Sequence, residues 1–278
     1  MQTIAHHLHT ARTALAPVAK ANAALEARLL AAHAWGMTLE ALVMAGNEPR
    51  DAAALDVLVA RRMKAEPVAQ ILGKKDFWKS TFFINADVLT PRADSETMIE
   101  TLLRLRSNVR APLRMLDLGT GSGCLILSAL GEYANARGVA LDASEAALTV
   151  ATKNATALNL AARLEIKQSD WCSAAVGRFD VVLSNPPYIP ATDMQTLDPD
   201  VREYEPHTAL DGGADGLDCY RSILQQLPPH LNANALVLFE VGMGQALDVA
   251  ALGVAKGFKL QEIVNDLAGV PRVVVFKA

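Results

Sequence analysis

Residues 113–134 read LRMLDLGTGSGCLILSALGEYA, and this stretch decides the fold. The mostly apolar residues 113–118 predict a buried strand, and the apolar run over 123–134 predicts a helix. Between them lies a turn with the spacing G-x-G-x-G. A strand, a glycine-rich turn and a helix in this order are typical of a site where a nucleotide-like ligand approaches the backbone, because glycine has no Cβ to block it.

Strands and helices continue to alternate from this stretch to the end of the chain. Further strands are predicted over 138–142, 163–167, 179–184, 234–241, 258–264 and 272–277, and helices over 144–158, 217–230 and 243–256. Strands that alternate with helices require crossover connections. We therefore predict the α/β class, with a Rossmann-like, mainly parallel sheet of seven strands that is covered on both faces.

The first part of the chain has a different composition. Residues 1–73 are rich in Ala and Leu at helical spacing, and they predict four or five short helices in a small bundle. Residues 74–92 include Phe77 and Trp78 in a β-type pattern, which predicts a hairpin linker. We therefore expect a helical bundle over 1–73, a β-hairpin linker over 74–92 and the α/β domain over 93–278.

Composition limits the possible function classes. With 278 residues and 51% hydrophobic residues, the chain can bury a sizeable core. A formal net charge of -4 argues against a protein held to nucleic acid mainly through phosphate contacts. The three cysteines and six histidines show no metal-ligand spacing, so we expect no metal site. Without a signal peptide or a long apolar run, we expect a cytoplasmic protein with no membrane partner.

Acidic residues near the glycine turn predict a pocket for a cationic nucleoside ligand. Asp117 precedes the turn Gly119, Thr120, Gly121, Ser122 and Gly123. A carboxylate there disfavours a pyrophosphate and suits a ligand that carries an ammonium and a sulfonium. Asp142 ends the second strand, where it is placed to accept hydrogen bonds from ribose hydroxyls. Asp142 could instead cap the next helix, but Ser144 fills that role better.

A further acidic and aromatic pair follows the third strand. Asp170 could accept a hydrogen bond from an exocyclic amine, and the indole of Trp171 could cover the face of a purine. A surface turn with a packed tryptophan explains the same pair equally well.

The fourth strand, 179–184, runs directly into Asn185-Pro186-Pro187-Tyr188, the most specific signal in the chain. The side-chain oxygen of Asn185 and the carbonyl of Pro186 can accept both N–H bonds of a planar NH2 group. They would orient its nitrogen towards a methyl donor and favour the developing positive charge. Both prolines stiffen the turn, and Tyr188 can stack on a flat target group. A rigid turn without catalytic function is the alternative, which the upstream glycine turn disfavours.

Several motifs together resemble the peptide chain release factor N5-glutamine methyltransferase family, the HemK/PrmC group. The resemblance covers nearly the whole chain. It is carried by EPVAQILG at 66–73, DFW at 76–78, PRADSE at 91–96, the glycine turn, SDW at 169–171, NPPY at 185–188, YEP at 204–206 and DLAGVPR at 266–272. NPPY alone occurs in many N-methyltransferases, whereas the upstream series is more specific. Ala93 and Ser95 depart from the proline and threonine that the family usually has there.

The resemblance implies a fold and a reaction. The fold would be a helical N-terminal domain, a hairpin linker and a seven-stranded methyltransferase sheet. A methyl group would pass from S-adenosylmethionine, leaving S-adenosylhomocysteine, to N5 of the glutamine in the Gly-Gly-Gln loop of release factors. The cofactor pocket would include Gly119 to Gly123, Asp142 and Trp171, and the glutamine pocket Asn185 to Tyr188. The N-terminal bundle would dock the substrate, and we expect a monomer.

Other substrates and functions remain open at this point. A ribosomal-protein glutamine methyltransferase would carry nearly the same motifs, and an adenine-N6 methyltransferase of DNA or RNA would bind a similar NH2 group. An inactive cofactor-binding module and a nicotinamide dehydrogenase fit the motifs less well. Segment 189–215 holds seven Asp/Glu residues and only Arg202 as a base. This charge disfavours a nucleic-acid target, and we hypothesise that it steers a basic protein substrate. Glu240 ends a strand, where it could face the site or make a structural hydrogen bond.

Overall fold

The computed structural model describes residues 1–278, which form two compact units. The N-terminal unit consists of residues 1–74 and 198–204, and the C-terminal unit of residues 75–197 and 205–278. In chain order the elements are β1 (Gln2–Thr3), α1 (Ile4–Ala19), α2 (Ala23–Trp35), α3 (Leu39–Met44), β2 (Pro49–Arg50), α4 (Ala53–Met63), α5 (Val68–Leu72), β3 (Lys74–Phe77), β4 (Ser80–Phe83), α6 (Glu96–Leu105), β5 (Arg114–Leu118), α7 (Cys124–Glu132), β6 (Arg137–Asp142), α8 (Glu145–Ala157), β7 (Leu164–Gln168), β8 (Phe179–Ser184), α9 (Pro199–Arg202), α10 (Asp218–Gln226), β9 (Leu231–Glu240), α11 (Ala246–Ala255), β10 (Lys259–Asn265) and β11 (Pro271–Lys277).

The N-terminal unit contains the helices that the sequence predicts. Helices α1 to α5 cover most of residues 4–72, and α1 is longer than expected at 16 residues. The side chain of Thr3 caps α1, and Gly36 ends α2 in the left-handed conformation that favours glycine. Leucines and alanines on the inner faces of the helices form one apolar core. No helix in the structure is both long and apolar enough to cross a membrane.

A segment from late in the chain completes the N-terminal unit. Residues 198–204 return to it, and the hydroxyl of Tyr204 donates a hydrogen bond to the Lys64 carbonyl at 2.8 Å. The amide of Gln70 donates to the Tyr204 carbonyl, also at 2.8 Å. Arg62 of α4 is buried and bonds Glu26 at 2.8 Å. Part of the segment predicted to be an acidic loop is therefore packed structure.

A seven-stranded sheet forms the centre of the C-terminal unit, in the order β10-β11-β9-β8-β5-β6-β7. Strand β5 pairs in parallel with β6 and β8, the pairs β6-β7 and β8-β9 are also parallel, and β11 pairs antiparallel with both β9 and β10. The seven predicted strands are all present. The largest difference is at β9, which begins at Leu231 instead of residue 234.

Alternate residues of the central strands face opposite apolar layers, as a strand with both faces covered requires. On β8, Val181 and Leu183 pack into the layer formed with α6 and α7, whereas Val182 packs into the layer formed with α10 and α11. Helix α6 was not predicted, although it buries Met98, Ile99 and Leu102 in the first layer. Its apolar residues follow a 3.6-residue period, but the strands directly before it belong to the hairpin and not to the seven-stranded sheet, so it lies outside the alternating pattern.

The predicted hairpin is present as β3 and β4, and residues 75–92 belong to the C-terminal unit. The indole nitrogen of Trp78 donates to the Glu132 carboxylate at 2.7 Å, and the Trp78 backbone N–H donates to Glu96 at 2.8 Å. The side chain of Asn154 exchanges two hydrogen bonds with the backbone of Phe83. Most of the predicted linker is thus fixed to the α/β unit, and the separate docking role of the bundle stays a prediction.

Replacing Gly253 in α11 with alanine should destabilise the C-terminal unit. A Cβ at this position would overlap the ring of Phe276 on β11. We expect a loss of about 1–3 kcal/mol, as is usual for overpacking. Gly131 in α7 is the matched control, because a Cβ there meets no atom within 4 Å. Its alanine variant should gain about 0.5–1 kcal/mol. Calorimetric melting of both variants tests the packing, and equal effects of the two would contradict it.

Candidate active site

The glycine turn after β5 has the backbone that its sequence requires. Gly119, Gly121 and Gly123 have φ values of 69°, 54° and 79°, in the left-handed region that favours glycine. The N–H groups of Gly119 and Thr120 donate to the carbonyl of Leu141 at the end of β6. The region around Gly121 is open, since a Cβ built there meets nothing within 4 Å. The turn therefore offers bare backbone to a ligand.

Asp142 connects this turn to the following helix. Its Oδ2 accepts from the Gly121 N–H at 2.8 Å, and its Oδ1 accepts from the Ser144 N–H at 2.9 Å. The hydroxyl of Ser144 accepts from the Ala147 N–H and so caps α8, as the sequence predicts. A carboxylate has about four acceptor positions, so Asp142 keeps capacity to accept from a ligand.

Asp117 is a buried acid directly beneath the turn. Its Oδ2 accepts from the Thr120 hydroxyl at 2.6 Å, whereas its Oδ1 has no hydrogen-bond partner. Burial raises the pKa of Asp117 to about 7, and the negative charge of Asp142 adds to this effect. A buried acceptor without a partner is costly for a protein, and a cationic group of a ligand would stabilise its ionised form.

The predicted aromatic residue lies beside the turn. A Cβ at Gly119 would stand 3.6 Å from the ring of Trp171. The backbone of Trp171 is left-handed, with φ 47°, and its carbonyl accepts from the Ser169 hydroxyl at 2.7 Å. Asp170 is exposed, and Trp171 is half-buried. The indole is thus placed where a flat ligand group above the turn would contact it.

Most of the predicted residues line one cavity. Its volume of about 480 Å³ is within the usual range for a small-molecule site. Its predicted lining residues are Gly119, Thr120, Gly121, Ser122, Asp142, Asp170, Trp171, Asn185 and Pro187. Asp117, Gly123, Pro186 and Tyr188 are not among its walls. Gly123 instead is the N-cap residue of α7, where a Cβ would press against Leu127 at 3.0 Å. The cavity brings the glycine turn and the turn after β8 together.

The NPPY turn, residues 185–188, reaches this cavity because β8 pairs in parallel with β5. The register places Ser184 beside Leu118, so both strands end at the same edge of the sheet. The hydroxyl of Ser184 donates to the Leu118 carbonyl at 2.8 Å and ties the two strand ends together. Asn185 follows at once, and its Nδ2 lies 3.5 Å from the hydroxyl of Ser95.

Two other segments hold the end of the NPPY turn, one through the side chain of Gln245 and the other through two glycines. Gln245 donates to the Tyr188 carbonyl at 2.9 Å. A Cβ at Gly212 would lie 2.8 Å from the Tyr188 Cα, and one at Gly216 would overlap the Tyr188 carbonyl. Burial raises the pKa of the Tyr188 hydroxyl, helped by the charge of Glu240. These glycines were not predicted as site residues, although the DGGADG run at 211–216 is a turn signal that could have indicated a close backbone approach.

Residues that line the cavity from the segment before α6 were also missed as site residues. Pro91, Arg92 and Ser95 are among the walls, so the departure from the family pattern at Ser95 does not remove this segment from the site. Glu205 holds the segment, since it accepts from the Thr90 N–H at 3.1 Å and from Arg92 at 3.0 Å. Of the charged residues in the wall, four are acidic and one is basic: Asp87, Asp142, Asp170, Asp211 and Arg92. This balance favours a cationic ligand over an anionic one.

The acidic segment 189–215 is less exposed to partners than its composition implies. Four of its seven acids form ion pairs within the protein: Asp200 with Arg62, Glu203 with Arg202, Glu205 with Arg92, and Asp215 with Arg221. The Asp215 carboxyl has its pKa lowered to about 2, chiefly by the hydrogen bond from Arg221. The charge left to steer a substrate is therefore smaller than the sequence count, and the steering hypothesis stays a prediction.

Family models match two parts of the chain. Residues 6–73 match the model described as the PrmC N-terminal domain. Residues 94–198 match the model described as the methyltransferase small domain.

Curated relatives match nearly the whole chain. A release factor glutamine methyltransferase from Cereibacter sphaeroides is 42% identical over 91% of this chain and 90% of its own length. The enzyme of the same name from Agrobacterium fabrum is 39% identical over 99% of this chain and 97% of its own length. The one from Rhodospirillum rubrum is 43% identical over 89% of this chain and 76% of its own.

Solved structures support the fold at low sequence identity. A methyltransferase from Pyrococcus furiosus has a TM-score of 0.52 at 20% identity, covering 70% of this chain and 87% of its own. The catalytic domain of hMettl16, solved in complex with MAT2A 3'UTR hairpin 1, has a TM-score of 0.58 at 15% identity and covers 79% of this chain and 80% of its own. The curated relatives, at 39–43% identity over most of both chains, show that the chain belongs to the release factor glutamine methyltransferase family.

Proposed function

We propose that this protein transfers a methyl group from S-adenosylmethionine to N5 of the glutamine in the Gly-Gly-Gln motif of peptide chain release factors. One observation carries the proposal: the glycine turn and Asn185 of the NPPY turn line the same cavity. A methyl donor bound at the first and a side-chain amide bound at the second would meet inside it. The names of the relatives support the choice of release factor and glutamine.

The residues of the cavity fit S-adenosylmethionine, which supplies an electrophilic methyl group on a sulfonium when bound. The open backbone at Gly121 would admit the ligand, and Asp142 would accept from its ribose hydroxyls. The unpartnered Oδ1 of Asp117 would stabilise a positive charge above the turn. Trp171, beside Gly119, would cover the flat base, and Asp170 would accept from the exocyclic amine of that base.

The NPPY turn would prepare the target nitrogen. The lone pair of a primary amide is delocalised, so the nitrogen is a weak nucleophile. Asn185 Oδ1 and the Pro186 carbonyl would accept its two N–H bonds, which orients the nitrogen and favours the positive charge that develops on it. Pro187 and Tyr188 would pack against the flat amide. The proton would leave after transfer, so no general base is required before it.

The substrate is proposed to be a protein and not a nucleic acid. The acidic walls of the cavity and the net charge of -4 both disfavour a phosphate backbone near the site. The helical bundle over residues 1–73 is proposed to dock the release factor. We also propose that the enzyme acts as a monomer in the cytoplasm, where translation termination takes place.

The first experiment measures transfer of a labelled methyl group to purified release factor, ribosomal protein and DNA in parallel, with the labelled residue mapped by mass spectrometry. We expect label on the glutamine of the Gly-Gly-Gln motif. A release factor with Gly-Gly-Glu in its place should stay unlabelled. Label on a ribosomal protein or on adenine would agree with the proposed methyl transfer to a planar NH2 group but would refute the proposed substrate.

Asn185→Ala should reduce turnover by more than about a hundredfold, because it removes one of the two acceptors that orient the target amide. The dissociation constant of S-adenosylmethionine should change much less. Single-turnover methylation and calorimetric binding measure the two quantities separately. Asn135→Ala is a suitable control, because Asn135 is exposed and bonds only the Arg110 carbonyl. An equal loss of turnover and cofactor affinity in Asn185→Ala would contradict the assigned role.

Asp117→Asn should weaken cofactor binding while it stabilises the free protein. The neutral amide would remove the buried negative charge that would stabilise a cationic group of the cofactor, so we expect an affinity loss of about tenfold or more. The folded pKa of Asp117 lies near 7, above its ordinary 3.8, so its ionisation costs stability as the pH rises between these values.

The melting temperature of the variant should therefore exceed that of the wild type by an amount that grows up to about pH 7 and is constant above it. Titration calorimetry and melting curves at several pH values test the two effects. A variant that binds the cofactor as tightly as the wild type would refute the role of Asp117.

A further inference from the structure

Glu240 is a buried acid next to the NPPY turn that the proposed mechanism does not use. It ends β9, which pairs in parallel with β8 in the register Ser184 beside Phe239. One residue further along both strands, Glu240 therefore stands beside Asn185. The Glu240 side chain is almost completely buried, at 2% exposure, and its Oε2 has no hydrogen-bond partner.

Ser95 links these two side chains. The Nδ2 of Asn185 lies 3.5 Å from the Ser95 hydroxyl oxygen. The side chains of Ser95 and Asn185 favour the ionised form of Glu240 and so act against the rise in its pKa that burial causes. A serine hydroxyl has one proton to donate and two lone pairs. If it gives its proton to Glu240, its oxygen remains free to accept from the Asn185 amide.

An amide side chain needs such a link because its two ends have nearly the same shape and opposite hydrogen-bonding character. Turned one way, Asn185 offers Oδ1 to the target amide. Turned the other way, it offers Nδ2, which would repel the N–H bonds of that amide. In the structure Nδ2 faces Ser95, so Oδ1 is the end left for the substrate.

We propose that Glu240, directly and through Ser95, is the positioning residue that fixes the rotation of the Asn185 amide and keeps Asn185 Oδ1 directed towards the substrate. This inference rests on the proposed function, and it adds a charge-dependent control of the acceptor. Ionised Glu240 can only accept hydrogen bonds, so the order of donors runs from Asn185 to Ser95 to Glu240. Protonated Glu240 would donate to Ser95, whose proton would then turn towards Asn185 and favour the reversed amide.

The surroundings of Glu240 support a change between these states near neutral pH. Burial raises its pKa to about 7, against the hydrogen bonds from Ser95 and Asn185 and the charge of Arg272. Two charged groups act on Glu240, Arg272 and Asp94. The charge of Glu240 in turn affects three titratable groups, Tyr188, Tyr220 and Cys124. Burial raises the pKa of Tyr188, Tyr220 and Cys124, so these three stay neutral around pH 7. Asp94 pairs with Arg272 at 3.4 Å.

Nuclear magnetic resonance of the full chain tests the link without any substrate. Asparagine is labelled with ¹⁵N, and the side-chain amide signal of Asn185 is assigned by its loss in Asn185→Ala. We expect this signal to shift with pH around a midpoint near 7 and to stop shifting in Glu240→Gln. Asn154 is the internal control, because its buried amide bonds only the Phe83 backbone and the Ser122 carbonyl.

Kinetics of the variants separate positioning from structure. Glu240→Gln should lower kcat by about tenfold, with cofactor affinity within about twofold of the wild type. Because Glu240 acts through Asn185, the double variant with Asn185→Ala should be no slower than Asn185→Ala alone. Glu262→Gln on β10 is the matched control and should leave kcat unchanged, because that carboxylate pairs with Arg104 away from the cavity.

The inference would be overturned if the Asn185 signal did not shift with pH in the wild type, or shifted equally in Glu240→Gln. It would also be overturned if the losses of kcat in the two single variants multiplied in the double variant. If Glu240→Gln does not fold, Ser95→Ala removes the part of the link that runs through Ser95 and should reduce the same titration. A wild type that fails to methylate release factor would refute the proposed function instead. The resonance experiment would still decide the role of Glu240 in that case.

Discussion

The parallel pairing of β5 with β8 is the interaction on which the site depends. The chain leaves β5 towards β6 and β7 on one side and returns to β8 and β9 on the other. At this reversal of strand order, the connections after β5 and β8 diverge and leave a crevice at the carboxyl edge of the sheet. The bond from Ser184 to the Leu118 carbonyl joins the two strand ends at that point. Both turns that carry the chemistry begin immediately after it.

Much of this arrangement was predictable from the sequence because its signals are local. The strands are short apolar runs, and the two turns carry their chemistry in consecutive residues, 119–123 and 185–188. Parallel strands end at one edge, so the meeting of the turns follows from strand order once the α/β class is known. The helices of residues 1–73 were predictable for the same reason, since their apolar spacing repeats along the chain.

The rest of the site could not be predicted because it depends on register and on distant contacts. Arg92 and Ser95 enter the cavity from the PRADSE segment, whose residues indicate no particular chemistry by themselves, and Glu205 holds this segment from far along the chain. The position of Glu240 beside Asn185 requires the pairing of β8 with β9 residue by residue. Nothing in the sequence indicates partners for the acidic residues of 189–215. In the folded protein, however, Asp200 and Glu205 form ion pairs with arginines that are distant in the sequence.

The return of residues 198–204 to the N-terminal unit has a consequence for the evolution of the chain. The backbone passes between the two units three times, after residues 74, 197 and 204, and not once as in a simple fusion of domains. A gene truncated or recombined at the first passage would separate Gln70 from Tyr204, whose carbonyl accepts its amide. The bundle would lose part of its own fold, and the NPPY segment would be followed by residues without their packing partners. The two units are therefore expected to be inherited together and to tolerate exchange between homologues only as a whole.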